Sequence, residues 1–385
     1  MWKTMKLDDI ASLTLGKTPS RSNQKFWDKE KNSKNIWLSI ADLSASNQLY
    51  IEDSKEYLSD EGAKLFKEVP AETLIMSFKL SIGKLAITKC ALRTNEAIIA
   101  MPIKDKKLIS KEYLYYFLSS MNWDTFAGND IKVKGKTLNK AKLKELPILV
   151  PPLPEQQRIV AKLDATFAQI DVTLNATKNN LYKLDKFRRL YLSVEMNKAD
   201  NDYKLGEICE LEKNQGNFKN MIYVGMEDIE SGTGKFIGDM QPKEVKSKTF
   251  RFGSNNLLYG RLRPYLNKVL LPDFDGHCST EIYPIKLGKK ILREYLFYWF
   301  IQDKTVDAIN SSTTGARMPR ANLNKILEMK INLPSLEQQR RALNGIINID
   351  KKITTIKDVY SIKLIELRNL KKAVLLKVLQ EKAIN

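Results

Sequence analysis

The chain has 385 residues, 64 lysines and arginines against 45 aspartates and glutamates, a formal charge of +19, and 43% hydrophobic residues. That length holds two or three domains and the apolar fraction suffices for their cores, so wholesale disorder is excluded. The longest conspicuous apolar run, Tyr295 to Ile301, is far short of the ~20 residues a spanning helix needs, and the charge excess favours a polyanionic partner, nucleic acid before an anionic membrane surface.

The amino terminus, with Lys3, Lys6, Asp8 and Asp9 in its first ten residues, lacks the apolar core of a secretory leader. Cys90, Cys209 and Cys278 are far apart and form no CxxC pair, so neither a zinc cluster nor a disulfide framework is indicated, and a reduced, cytoplasmic setting is expected. Gly16-Lys17-Thr18 has the look of a P-loop tail, but Ala11 stands where the upstream glycine belongs. Short β-rich runs follow at Thr73–Ser77 and Leu85–Thr88, and an aromatic helix is predicted over 111–120. From Gly128 to Glu145 six lysines face two acids. A short strand then runs into the prolines of 149–154. Proline lacks an N–H and fixes φ, which ends a strand and is tolerated in a first helical turn. Acidic Glu155 sits where the helix dipole favours negative charge.

From there Ile170, Leu174, Thr177, Leu181, Leu184, Arg188 and Tyr191 step by fours and threes, the spacing of a narrow helical seam. Strands are expected again at Asn256–Tyr259 and Val269–Leu271, and a second aromatic helix over 293–302. His277, the only histidine, is read as a polar residue of a turn between strands. It leaves no room for chemistry that needs two histidines. The second long helix follows Pro334, with Ile346, Ile349, Ile353, Ile356 and Tyr360 as its seam; Leu364 and Leu367 resume after a stutter.

These elements repeat. Lys111-Glu-Tyr-Leu-Tyr-Tyr-Phe-Leu118 recurs as Arg293-Glu-Tyr-Leu-Phe-Tyr-Trp-Phe300, an offset of 293 − 111 = 182. Pro152-Leu-Pro-Glu-Gln-Gln-Arg158 recurs at the same offset as Pro334-Ser-Leu-Glu-Gln-Gln-Arg340. Lys6-Leu-Asp-Asp-Ile10 is echoed by Lys204-Leu-Gly-Glu-Ile208 at offset 198, so the two halves differ in length by about sixteen residues in their middles. Each half reads as a globular part followed by a long helix. Two helices with narrow seams are expected to pair with each other, and at ~1.5 Å per residue each would span roughly 60 Å.

Basic residues gather inside the globular parts. Lys132, Lys134 and Lys136 belong to the first lysine stretch. Arg261, Arg263 and Tyr265 lie in one arginine–aromatic loop, and Thr313, Thr314, Arg317 and Arg320 in another. Such loops bind phosphates through lysine, threonine and backbone N–H, and arginine reads guanine edges with two parallel hydrogen bonds. No GxGxxG follows a strand, Pro151-Pro152 is preceded by Val150 rather than Asn or Asp, and Glu244-Val-Lys246 is half a nuclease element without a partner acid. The chain therefore reads as non-catalytic, with no metal site or cofactor.

Four features carry a family resemblance. They are Gly16-Lys-Thr-Pro-Ser-Arg21; Trp37-Leu-Ser-Ile-Ala-Asp-Leu43 with Tyr57-Leu-Ser-Asp-Glu-Gly62; the two proline-then-Glu-Gln-Gln-Arg helix starts; and Leu184-Asp-Lys-Phe-Arg-Arg-Leu190. On these the chain resembles the specificity (S) subunit of type I restriction–modification enzymes. The resemblance implies an α+β chain of two similar mixed α/β target-recognition domains, 1–154 and 199–334, with long helices at 155–198 and 335–385 forming an antiparallel coiled coil about a pseudo-two-fold repeat. It implies double-stranded DNA with a bipartite target as ligand, docking to two methyltransferase (M) subunits, and to restriction (R) subunits through them. Thr18, Ser20, Arg21, Lys79, Ser81 and Lys84 are further DNA-contact candidates. Candidates for docking and the coil are Glu155, Gln156, Gln157, Arg158, Leu174, Leu181, Leu184, Arg188, Glu337, Gln338, Gln339, Arg340, Ile353, Ile356, Leu364 and Leu367. The second helix departs from the first, with Arg341-Ala-Leu-Asn-Gly-Ile346 after its Glu-Gln-Gln-Arg, and Gly345 there costs up to ~1 kcal/mol relative to alanine. Rival readings are a basic coiled-coil scaffold for anionic partners and an autonomous nuclease or methyltransferase. Duplicated globular parts weigh against the first, and the missing motifs against the second.

Overall fold

The computed structural model describes the chain apart from residues 1, 47, 80, 128–130, 133–134, 137, 199–201, 314, 316 and 381–385, and apart from the side chains of 131, 132, 135, 136 and 380. The predicted helices form close to their expected bounds: α1 (Lys111–Ser119), α2 (Leu153–Met196), α3 (Arg293–Ile301) and α4 (Leu336–Gln380). The residues group into two compact units, Met1–Asn175 with Lys363–Asn385, and Ala176–Ile362. Each long helix thus gives one half to each unit.

In unit 1 a five-stranded sheet has the order Thr14–Leu15, Ile98–Met101, Leu74–Ser77, Leu85–Thr88, Tyr50–Ile51, and a separate four-stranded sheet carries Trp27–Asp28, Glu56–Leu58, Ile36–Leu38 and Arg93–Thr94. Lys3–Lys6 pairs antiparallel with Pro147–Val150, so the start and end of the globular part meet. Tyr113, Leu114 and Leu118 of α1 are fully buried against the sheet, and the same core takes Ile159 and Leu163 from α2 and Leu375 and Leu379 from α4. The aromatic helix is therefore the packing block that seats the long helices.

Unit 2 repeats the plan with different middles. Its main sheet runs Cys209–Leu211, Ile282–Leu287, Leu257–Gly260, Val269–Leu270, and Asp202–Lys204 pairs with Lys330–Asn332. Tyr295, Leu296 and Phe300 of α3 are buried with Leu192 and Met196 from α2 and Leu343 and Ile346 from α4. His277 is not in a turn: it is the middle of strand Gly276–Cys278 and wholly buried. Its Nε2 donates to the Lys243 carbonyl at 2.9 Å and its Nδ1 meets Thr249 Oγ1 at 2.9 Å, so the strand satisfies both ring nitrogens and can bury the imidazole.

Within each unit the helix halves run antiparallel. In unit 1 Lys371 Nζ donates to Asp171 at 2.6 and 2.7 Å and lies 5.0 Å over the Phe167 ring. In unit 2 Arg188 holds Asp350 with two bonds of 2.7 and 2.8 Å, Lys357 pairs with Asp185, and Asn180 reaches Tyr360. The seam of α2 follows the expected series. That of α4 does not: Ile356 is 40% exposed, and the seam passes through Lys357 instead. Counting the paired Lys357 and Lys371 as seam residues restores an unbroken run of fours and threes from Ile353 to Val374, so the stutter disappears. A search for apolar residues alone steps past a lysine that has a carboxylate partner. Gly345 also gains a reason, since a Cβ there would lie 2.7 Å from Tyr191 Oη.

Polar seam residues specify register more than they stabilise. Asp350→Ala leaves Arg188 half-buried without its partner and should lower the stability of unit 2 by about 1–3 kcal/mol. Urea unfolding measures this, and the apolar double replacement Arg188→Met with Asp350→Leu should recover most of the loss. An Asp350→Ala midpoint equal to wild type would show that the pair contributes nothing.

Candidate nucleic-acid interface

The hairpin Leu74–Ser77/Leu85–Thr88 of unit 1 and the hairpin Leu257–Gly260/Val269–Leu270 of unit 2 are repeat equivalents, and their connecting loops each hold three of the proposed contacts. Lys79, Ser81 and Lys84 lie on the first loop; Arg261, Arg263 and Tyr265 lie on the second. Each loop is joined to a second basic segment in the same way. Leu138 N–H donates to the Phe78 carbonyl at 2.9 Å, and Ala321 N–H donates to the Arg261 carbonyl at 2.9 Å. The two steps are the same, 321 − 138 = 261 − 78 = 183, one residue more than the offset of 182 between the aromatic helices. Residues more than fifty positions apart are thus brought together twice, by one backbone device.

In unit 1 the loop is shaped by local contacts. Gly83 has φ +81°, and a Cβ there would meet Trp123 Cδ1 at 2.1 Å, so only glycine lets the loop lie on that ring. Ser77 Oγ donates to the Ser81 carbonyl and accepts from Lys84 N–H at 3.0 Å. Lys79 Nζ sits 5.3 Å over Phe78, while Ser81 and Lys84 are exposed. The adjoining segment has short strands Ile131–Lys132 and Gly135–Lys136; Lys134 lies outside the described residues, as do the side chains of Lys132 and Lys136.

Thr18, Ser20 and Arg21 form a separate group beside the four-stranded sheet. Thr18 Oγ1 donates to Glu96, and the Ser20 and Ser22 hydroxyls are 2.8 Å apart. The Arg21 fork is held by Glu56, with Nη2 donating to Oε2 at 3.0 Å, and stacks 4.1 Å over Trp27 and 4.8 Å over Trp37. Those indoles donate in turn to the carbonyls of Ser20 and Lys17, fixing the loop from beneath. Glu56 raises the Arg21 pKa above the ordinary arginine value, so its charge is permanent.

In unit 2 three segments converge. The Leu262–Arg320 bridge pairs the two arginine loops, Arg263 N–H donates to the Pro319 carbonyl at 2.7 Å, and Arg261 N–H donates to the Glu281 carbonyl at 2.8 Å. Arg263 adopts φ +49°, a left-handed conformation that carries its side chain to the exposed face. Arg317 and Tyr265 are exposed beside it, Tyr265 by 55%. Thr313 donates to the Asn310 carbonyl at 2.8 Å, and Thr314 lies outside the described residues. Arg261 and Arg320 are not free side chains. Arg320 donates to Glu281 through Nε at 3.0 and 3.1 Å and through Nη2 at 2.8 Å, while Arg261 lies over the Tyr283 ring at 5.2 Å with its Nε 3.6 Å from Glu281. Sequence reading missed Glu56, Glu96 and Glu281. Nothing local marks them, because each lies 20 or more positions from the residue that it holds.

Gln156 and Gln339 need correction as docking residues. Both are 0% exposed. Gln156 accepts from Ser110 N–H at 2.9 Å and donates to the carbonyls of Leu108 and Pro151 at 2.9 and 2.8 Å. Gln339 does the same with Leu292 at 2.9 Å and with Lys290 and Pro334 at 2.8 Å each. The second glutamine of each Glu-Gln-Gln-Arg thus ties a long helix to the start of its aromatic helix and cannot touch a partner. Gln157, Arg158, Gln338 and Arg340 remain exposed. Glu155 is taken by Arg158 at 2.8 Å, and Glu337 pairs with Arg341.

Burial pushes the Cys209 thiol up to about 12 and raises that of Cys278, which leaves neither a nucleophile at neutral pH. Among the described residues no group of three or more His, Cys, Asp or Glu could hold a metal, and no helix is long and apolar enough to cross a membrane.

The type I restriction modification DNA specificity domain matches this sequence twice, over residues 1–183 and 198–366. The specificity subunit of the type I restriction enzyme EcoDI of Escherichia coli is 24% identical over 318 residues, 70% of this chain and 69% of that protein. The MjaIX specificity subunit of Methanocaldococcus jannaschii is 24% identical, over 65% of this chain and 64% of its own. Among solved structures, a chain from a study of the assembly and conformational transition of the type I R-M system matches with TM-score 0.73 and 15% identity, covering 98% of this chain and 97% of that one. The HsdS subunit from Thermoanaerobacter tengcongensis matches with TM-score 0.51 and 14% identity, covering 98% and 96%.

Proposed function

Because the chain belongs to the type I restriction modification DNA specificity family, we propose that each unit reads one half of a bipartite double-stranded DNA target. The observation that carries this reading is the loop junction built twice, with basic residues on both of its strands each time. One backbone frame with two different sets of side chains is what two different half-sites require. The exposed Gln157, Arg158, Gln338 and Arg340 at the helix starts are the docking positions for two methyltransferase subunits, and restriction subunits join through those. The chain itself supplies no catalytic group and binds no cofactor; the long helices act as the spacer between readers.

Sequencing the duplexes that the full chain retains from a random pool tests this reading. A two-part motif is expected. Retention of all sequences alike would favour the anionic-partner scaffold, and cleavage or methylation by the chain alone would favour an autonomous enzyme. The lysines of 131–136 should act on affinity and not on sequence. Replacing Lys132, Lys134 and Lys136 together by alanine should weaken binding at least about tenfold and make the log–log salt slope shallower by up to about 2.7, at ~0.9 per phosphate contact. Titration at several salt concentrations checks this, and an unchanged slope would take this segment out of the interface.

A further inference from the structure

Resting on that reading of unit 2, we propose that Glu281 is a positioning residue that sets base choice there, by aiming the forks of Arg261 and Arg320 at base edges and away from phosphates. The argument begins with which edge of the guanidinium is used. Arg320 meets Glu281 side-on, through Nε at 3.0 Å and Nη2 at 2.8 Å. A side-on carboxylate leaves the end-on pair of Nη1 and Nη2 hydrogens, two parallel donors with the spacing of guanine O6 and N7. Arg261 is oriented by the same carboxylate and by the face of Tyr283, its Nε buried without a hydrogen bond 3.6 Å from Glu281 Oε2. Both side chains are about two-thirds buried, at 31% and 36% exposed, so their rotamers are chosen before DNA arrives. A fork already held in place loses less conformational freedom on binding.

Charge leads to the same conclusion. Two guanidinium groups on one carboxylate carry a net +1 and no longer attract phosphates as two free cations would. The carboxylate also repels a phosphate that approaches closely. Unit 1 provides the contrast at the equivalent backbone position. Phe78 N–H donates to the Ala97 carbonyl at 3.0 Å, as Arg261 N–H donates to the Glu281 carbonyl at 2.8 Å. Alanine stands in one unit where the carboxylate stands in the other, and the loop beside Ala97 carries lysines. Among the described residues, the junction of unit 1 thus presents Lys79 and Lys84 with no ion pair to a carboxylate, and that of unit 2 a pair of forks held by one. Arg263 and Arg317, exposed at the margin, are left as the phosphate contacts of unit 2.

Base-by-base selection from a random duplex pool, with the full chain as wild type, Glu281→Gln and Arg320→Lys, tests the proposal, with the thermal midpoint as folding control. Glu281→Gln keeps size and one acceptor oxygen but removes the charge. Discrimination at one or two guanine positions should drop roughly 5- to 150-fold, while affinity for unselected duplex rises and the salt slope steepens, because freed arginines turn to phosphate. Arg320→Lys keeps the ion pair but has no fork, and should lose discrimination at one of the same positions. If Glu281→Gln folds and keeps the wild-type preference, or loses affinity for all sequences in parallel, the proposal is overturned. If Glu281→Gln is unfolded, Arg320→Lys decides, and a wild-type preference in that variant overturns it. A wild type that selects no sequence removes the DNA-reading proposal itself, a different outcome from a preference that Glu281 does not affect.

Discussion

Exchanging residues 199–334 for the matching segment of a relative with a different target should change one half of the methylated DNA sequence and leave the other half as it was. The segment is nearly self-closing, since Asp202–Lys204 pairs with Lys330–Asn332 and brings its ends together. It contains all of Arg261, Arg263, Tyr265, Glu281, Arg317 and Arg320, and none of the loops of unit 1. Each wrong base pair costs ~1–3 kcal/mol, roughly additively, so even two altered positions amount to a preference change on the order of a hundredfold. Its core also takes Leu192, Met196, Leu343 and Ile346 from the long helices. A donor segment should therefore match the recipient in the apolar residues that face them, or the chimera will lose stability for reasons unrelated to DNA. Methylome mapping in cells that supply the methyltransferase subunits reads both halves at once. Movement of both halves together would contradict the assignment of one half-site to each unit.

Gln156→Leu and Gln339→Leu should be the most destabilising single replacements at the helix starts. Each glutamine is itself buried and satisfies one N–H and two carbonyls from two chain segments, in bonds that are part-buried apart from the buried one to Pro151. Leucine fills a similar space and bonds to none of them. A buried polar group left without a partner costs ~1–3 kcal/mol, and partial relaxation brings the expected loss to about 3 kcal/mol for each variant. The aromatic helix then loses the anchor of its first turn, so the seating of the long helix in that unit loosens as well. Denaturant unfolding gives the magnitude, and limited proteolysis near 108–110 or 290–292 gives the location. Neighbouring Gln157→Leu, on the exposed face, should leave the midpoint unchanged. Equal midpoints for Gln156→Leu and Gln157→Leu would contradict the anchoring role.

Much of the architecture was legible because it is written in local periodicity and in duplication. Proline before Glu-Gln-Gln-Arg marked both helix starts, and the aromatic run marked the block that seats them. The first seam was read correctly because its members are mostly apolar, with Thr177 and Arg188 falling at the right intervals. The second was misread at Ile356 because Lys357 belongs to the seam only through Asp185, 172 positions away. His277 was misplaced for a related reason: a lone polar residue suggests a turn unless partners such as Thr249 and Lys243 are known to meet it.

The sequence by itself determined that there are two similar α+β halves, that each ends in a long helix, and that basic loops are concentrated in the globular parts. Periodicity, turn chemistry and internal repetition are properties of neighbouring residues, and they survive without coordinates. Only the tertiary structure decided which of those basic residues are engaged. Arg21, Arg261 and Arg320 are counted as +1 each in the sequence, yet Glu56 and Glu281 hold them in the fold, and Gln156 and Gln339 are inside although they share a motif with exposed neighbours. Whether a polar side chain faces a ligand or a partner within its own unit depends on where distant segments meet. That placement is set by packing the sheets against the aromatic helices, so charge patterning alone could not supply it.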